Sequence, residues 1–225
     1  MTRSVLDRPA WHALTGRQAP LAVGNRHALR FLPDHGPFAA SADTAPENLA
    51  ALAAFAGDGE IWLVEKEPVP PPPGLTVVRS AECLQMVAST ITPGRDAFEA
   101  EPLGDDDAEA MLALATLTEP GPYLAKTHRL GSFVGIKEDG RLVAMAGERM
   151  KPGNYTEVSG VCTHPDYRGR GYAGALMRLV AARILDRGEQ PFLHCYASNA
   201  GTIALYESLG FEAHQIVTAT VLWRG

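Results

Sequence analysis

The stretch Val161-Cys162-Thr163-His164-Pro165-Asp166-Tyr167-Arg168-Gly169-Arg170-Gly171-Tyr172-Ala173-Gly174 has the residue types of an anion cradle. Glycines at 169, 171 and 174 let the backbone approach a ligand closely. The N–H groups that open the following helix face a negative group, and the helix dipole favours it. Arg168 and Arg170 add guanidinium donors suited to phosphate. The chemistry is therefore binding of a phosphate or pyrophosphate; the plainer alternative is a tight turn with solvated arginines. A P-loop would need G-K-[ST], which is absent. Gly169, Gly171 and Gly174 do fit G-x-G-x-x-G, but that dinucleotide fingerprint follows its strand directly. Here His164 to Arg168 intervene, and the next strand ends at Ala197-Ser198-Asn199 without a ribose-binding acid.

Other reactive side chains are scattered. Cys83, Cys162 and Cys195 form no C-x-x-C pair, and their odd number fits a reduced compartment better than a disulfide framework. Cys162 and Cys195 lie in apolar strands and read as small core residues. The seven histidines make no close ligand pair, so no metal is expected. His164, just before a proline, reads as a loop residue. The net charge of −6 over 225 residues speaks against a general nucleic-acid binder. The longest apolar stretch, Leu49 to Ala56, is too short to cross a bilayer, and the first residues carry Asp7, Arg8 and Pro9 rather than an apolar leader. A cytoplasmic protein with no nucleic-acid or membrane partner is the expectation.

The elements that must position the cradle follow from periodicity and breakers. Thr44-Ala45-Pro46-Glu47 reads as a capping box opening a helix through Leu49, Leu52 and Phe55. A strand at Ile61 to Val64 leads to four consecutive prolines, Pro70 to Pro73, an extended connection. Strand-like sequence follows at Leu75 to Arg79 and around Leu84 to Val87. Asp105 to Asp107 cap a helix through Met111, Leu112, Leu114 and Leu117, ended by Glu119-Pro120-Gly121-Pro122. Strands at Phe133 to Lys137 and Leu142 to Ala146 flank the hairpin turn Asp139-Gly140. Glu157 to Thr163 is a strand and Gly171 to Asp186 a helix with Leu176, Leu179, Val180 and Ile184 on one face. A strand at Phe192 to Ala197 precedes a helix at Ala200 to Leu209. Gly210 stops that helix in a left-handed cap, with Phe211 packing back. Ile216 to Trp223 is the last strand. The order gives a mixed α/β chain with helices on the faces of a sheet.

Arg168-x-x-Gly171-x-Ala173 matches the [Q/R]-x-x-G-x-[G/A] motif of the GNAT superfamily of N-acetyltransferases, and the chain resembles that family at further points. Val161-x-x-x-Pro165 reads like its preceding strand. Asn199 followed by Leu205-Tyr206 and Gly210-Phe211 is similar to its fourth helix. The resemblance covers roughly residues 95–225. It implies a central mixed, mostly antiparallel sheet flanked by helices, with 1–94 as an N-terminal α/β half-domain of unknown role. The wording of Glu119 to Pro122 and of Ala144 to Arg149 resembles a bacterial branch related to the C-terminal domain of glycine N-acyltransferase-like proteins.

The same resemblance implies an acetyl-CoA-dependent N-acetyltransferase acting by direct attack in a ternary complex. The pyrophosphate of acetyl-CoA would sit on Arg168, Gly169, Arg170, Gly171, Tyr172, Ala173 and Gly174. Backbone groups of Val161 and Thr163, beside Cys162, would hold the pantetheine arm and stabilise the developing oxyanion. Asn199 would bond that arm or cap its helix. Tyr206 would protonate the departing thiolate, unless it is an aromatic core residue. Glu157, opening the strand, could have a raised pKa and act as general base, or be a structural or substrate-binding carboxylate. Pro120 to Gly131 and the strand hairpin should line the pocket of a small-molecule or peptide amine acceptor. A homodimer is left open. The competing reading is a non-catalytic acyl-CoA sensor or interaction module.

Overall fold

The computed structural model describes residues 4–57, 59–94 and 98–225. A proline at its first position starts α1 (Pro9–Leu14). Three short strands follow, β1 (Ala22–Gly24), β2 (Ala28–Phe31) and β3 (Ala39–Ser41), in an antiparallel sheet of order β1-β2-β3. These strands and α1 have too few residues for their periodicity to be read from sequence. Then comes α2 (Pro46–Ala53). The capping box expected at Thr44 does not form: Ala45 is the N-cap and has no side chain to offer. Asp43 serves instead, its Oδ1 accepting the Ala45 N–H at 2.7 Å.

The main sheet is built from β4 (Ile61–Glu65), β5 (Thr76–Val87), β6 (Glu101–Leu103), β7 (Phe133–Glu138), β8 (Arg141–Glu148), β9 (Tyr155–Thr163), β10 (Gln190–Tyr196) and β11 (Glu212–Trp223). Its order is β4-β11-β5-β10-β9-β8-β7-β6. It is mostly antiparallel, and β9 with β10 forms its parallel pair. The two strand-like stretches expected within 75–87 are one strand, because β11 pairs along it from Glu212↔Val87 to Trp223↔Thr76. The edge strand β6 was not legible, being three residues long with Pro102 at its centre. The expected boundary between residues 94 and 95 falls between strands of this one sheet, since β4 and β5 belong to it with β10 and β11.

Helices cover both faces. A 3-10 turn at Asp105–Asp107 leads into α3 (Ala108–Thr118), whose Met111 and Leu114 pack with Phe133, Leu142, Met145 and Cys162. On the other face α4 (Tyr172–Asp186) buries Leu176, Met177, Val180 and Ile184 against Val134, Val143 and Leu193. Each such aliphatic side chain contributes about 1.5–3 kcal/mol when fully buried. Beside it lies α5 (Ala200–Leu209). Gly210 is left-handed (φ 102°), with Gly210 N–H donating to Glu207 O at 3.0 Å and Phe211 N–H to Tyr206 O at 3.1 Å. That is the Schellman closure the glycine-phenylalanine pair predicts.

The feature that positions the site is a parting of strands. The ladder between β9 and β10 runs only from Tyr155↔Gln190 to Glu157↔Phe192. Beyond it β9 stays with β8 and β10 with β5, so a wedge opens between them. A bulge on β9 adds to the divergence: Met145 faces Cys162, but Gly147 faces Ser159. Gly160 takes φ +63° there, and a Cβ at that position would lie 2.8 Å from Phe133 Cε1.

Candidate active site

At the mouth of the wedge the chain turns from β9 through a 3-10 turn, Pro165–Tyr167, into α4. His164 precedes the turn, and Arg141 donates to its Nε2 at 2.7 Å. It is thus a buried structural residue. Gly169 and Gly171 are both left-handed, at φ +79° and +84°, and open space surrounds the missing Cβ of Gly169. Gly171 is the N-cap of α4 and supplies no side chain. The first-turn N–H groups of a helix have no intrahelical acceptor. In this loop the first N–H to find one is that of Ala175, on Gly171 O at 3.1 Å. A cavity of about 380 Å³ lies over the loop, lined by Val161, Thr163, Arg168 and the glycines. Thr163 Oγ1 is buried there without a hydrogen-bond partner among the described residues. This is a fitting bed for a pyrophosphate group.

The two arginines are not equivalent. Arg170 pairs with Glu138 at 3.2 Å and lies 4.7 Å over the Tyr167 ring. Arg168 has no side-chain partner among the described residues and faces the cavity. The Tyr172 side chain is in the core, edge-on to Phe98 at 5.0 Å, with its hydroxyl donating to Glu138. Only its backbone is free to serve the cradle. Cys162 also points into the core against α3, where burial pushes its thiol up to about 11.

A second cavity, of about 680 Å³, adjoins the first: Thr118, Val161 and Arg168 line both. Tyr206 lines it from α5. Burial, with the Cys195 thiol nearby, pushes the phenol up to about 12, so it keeps its proton across the neutral range. The hydroxyl has no hydrogen-bond partner among the described residues. Asn199 lines the same cavity and caps α5, its Oδ1 accepting the Thr202 N–H at 3.1 Å. Of the stretch Pro120 to Gly131 expected at the acceptor pocket, Pro120, Gly121 and Pro122 line this cavity, whereas Tyr123 to Gly131 and the Asp139-Gly140 hairpin turn do not. The opposite wall comes instead from the N-terminal third, through Phe38, Trp62, Val64 and Cys83. No local motif marks these four residues in the sequence.

Glu157 corrects a sequence expectation. Its side chain is 1% exposed, which alone would raise its pKa. Burial is indeed the largest influence, but Arg149 and then His194 together outweigh it and hold the carboxyl far below the usual range. Arg149 grips both oxygens, Nε to Oε2 at 2.9 Å and Nη2 to Oε1 at 2.7 Å. His194 Nδ1 lies 2.7 Å from Oε1. The Gln85 amide nitrogen donates to Leu6 O and to His194 Nε2, so the imidazole hydrogen on Nδ1 points to Glu157. A carboxylate this well satisfied is a weak proton acceptor, and the raised pKa is not found. Neither Arg149 nor His194 stood out in the sequence; both line the cavity.

Comparison with known proteins defines the class. The family model described as Acetyltransferase (GNAT) family matches residues 96–211. The crystal structure of a protein of Novosphingobium aromaticivorans assigned to the GNAT family of acetyltransferases is 52% identical, covering 99% of this chain and 100% of that one at TM-score 0.92. A GCN5-related N-acetyltransferase from Kribbella flavida shares the fold at 21% identity, 94% and 91% coverage and TM-score 0.62. A GCN5-related N-acetyltransferase-like protein from Streptococcus suis does so at 19% identity, 96% and 92% coverage and TM-score 0.62. No curated protein matches the chain significantly. The chain belongs to the GNAT family of acetyltransferases, which transfer an acyl group from acyl-CoA to an amine. Among the described residues no helix is long and apolar enough to cross a membrane, and no cluster of three His, Cys, Asp or Glu could hold a metal ion.

Proposed function

We propose that the chain transfers an acetyl group from acetyl-CoA to an amine by direct attack in a ternary complex. The observation that carries this reading is the adjacency of the two cavities, which share Val161 and Arg168 where β9 and β10 part. One cavity suits a pyrophosphate and the other an acceptor, and a thioester reaching through the wedge meets both. Arg168 and the backbone of Gly169 to Gly174 would hold the phosphates. Val161 and Thr163 on the bulged strand would align the pantetheine arm and offer a donor to the developing oxyanion. In the reaction the lone pair of the neutral amine forms the C–N bond. The C–S bond breaks, its electrons leave with sulfur, the thiolate takes a proton, and the nitrogen loses one. Tyr206, which lines the larger cavity and keeps its proton, would supply the first of these protons. The proton lost by nitrogen passes to water rather than to Glu157, whose lone pairs are engaged.

Isothermal titration calorimetry with Gly171→Glu tests the reading. The change sets a side chain and a negative charge in the cradle, so acetyl-CoA affinity should fall at least ~100-fold, as loss of about 3 kcal/mol requires. Circular dichroism should show the fold retained. Unchanged affinity would overturn the assignment.

A further inference from the structure

We propose that the acceptor is an amine that also carries a carboxylate, bound by the free edge of Arg149 against an apolar, aromatic wall. This rests on the acyl-transfer reading above and specifies its second substrate. Arg149 follows β8 and lines the larger cavity, its side chain only 12% exposed. One edge of the guanidinium, Nε and Nη2, is spent on Glu157. Its Nη1, with two N–H donors, makes no hydrogen bond among the described residues. That nitrogen is not sealed in the core, since the buried polar atoms lacking a partner do not include it. The guanidinium plane is fixed from two sides: Glu157 holds its far edge, and the Phe38 ring lies 4.6 Å beneath it. The free edge, one N–H of Nη1 beside the second N–H of Nη2, is a rigid donor pair organised for a planar, two-oxygen acceptor.

The surroundings favour an anion of that kind. Arg149 lines the cavity, and Glu119, the carboxylate that also lines it, is exposed at the rim. Glu157, the anion nearest to Arg149, shares its charge with His194 through a 2.7 Å hydrogen bond. One side of the wall, Phe38, Trp62, Val64, Cys83 and Ala219, is apolar or aromatic, while Thr118, Asn199, Thr202 and Tyr206 put polar groups on the rest. An acceptor with an apolar body and a carboxylate fits these features, as in an amino acid with an apolar side chain or a short peptide ending in one. A bare alkylamine would leave Nη1 facing an apolar group in a half-enclosed site, at a cost in binding.

The test compares acids with their amides on the wild-type protein. L-Leucine, L-phenylalanine and glycyl-L-phenylalanine are each assayed beside the corresponding C-terminal amide, with CoA release followed by a thiol reagent. At least one acid should exceed its amide ~10-fold or more in kcat/KM, and Arg149→Lys, which keeps a cation for Glu157, should remove most of that preference. Amides that equal or exceed the acids in every pair would overturn the proposal. So would failure of every acid to turn over or to raise the melting temperature while acetyl-CoA binds normally, an outcome that leaves acyl transfer standing. Absence of acetyl-CoA binding itself would overturn both readings. The acid-to-amide ratio is read on the wild type, so it decides the matter even if the lysine variant does not fold.

Discussion

With Arg149 on one side and His194 on the other, the Glu157 carboxylate is committed before any substrate arrives. Its depressed pKa means that the ion pair stabilises the fold fully above the ordinary glutamate value, ~4.3, and less as the pH falls below it. Glu157→Gln leaves the Arg149 charge buried without its counter-ion, which should cost about 3–5 kcal/mol near neutral pH. Denaturant unfolding measured from pH 7 down to 3 should show that gap narrowing, because the wild type loses the pair while the variant has none to lose. A variant as stable as wild type at pH 7 but ~100-fold slower would restore Glu157 as a base. Tyr206 tests the other proton. Tyr206→Phe removes only the hydroxyl and keeps the ring against Phe211, whose centroid is 6.3 Å away. The kcat for an acceptor should fall roughly 10- to 1000-fold with acetyl-CoA affinity little changed. Near-normal turnover would leave solvent as the proton source.

At the level of elements, local chemistry and long-range pairing contribute differently. Gly210 with Phe211, and Asp139 with Gly140, announce their turns because φ is positive at Gly210, Asp139 and Gly140, and few residues tolerate that. The α4 start was legible for the same reason at Gly171. By contrast β5 read as two fragments, since Ser80-Ala81-Glu82-Cys83 between them lacks the β-branched and aromatic residues that mark a strand. Their strand state comes from pairing with β11, a partner more than a hundred residues away. The bulge at Gly160 is likewise a pairing event. A glycine in a strand hints at such a site, but the slip of Ser159 to Gly147 exists only once β8 and β9 are side by side.

The whole molecule depends on β5 in the middle of the sheet. It lies between β11 and β10, so removing residues 1–94 takes out a central strand rather than an appendage. Val217 and Val221 of β11 and Phe192 of β10 would lose their cover, and two long strand edges would be unpaired. A 95–225 chain is therefore expected to be insoluble or to lack a cooperative unfolding transition, measured by expression solubility and circular dichroism. A soluble, fully active 95–225 chain would show the N-terminal third to be dispensable. Its contribution to the cavity, through Phe38, Trp62, Val64 and Cys83, argues that the acceptor would be lost with it.

The sequence alone determined the glycine- and arginine-rich turn that leads into α4. Its glycines, its arginines and the helix start are consecutive, and the backbone conformation they require is dictated within a few residues. It also determined the cap at Gly210 and most of the elements, which obey periodicity or turn chemistry. Only the tertiary structure decided that Arg170 is taken by Glu138 while Arg168 is left facing the cavity, and that Glu157 is charged rather than neutral. It also built one wall of the larger cavity from Phe38, Trp62, Val64 and Cys83, far from the turn in sequence. The reason is physical. A side chain's charge, partners and exposure are set by whichever groups folding brings within a few ångströms, and for these residues some of those groups lie on strands and loops far apart in sequence.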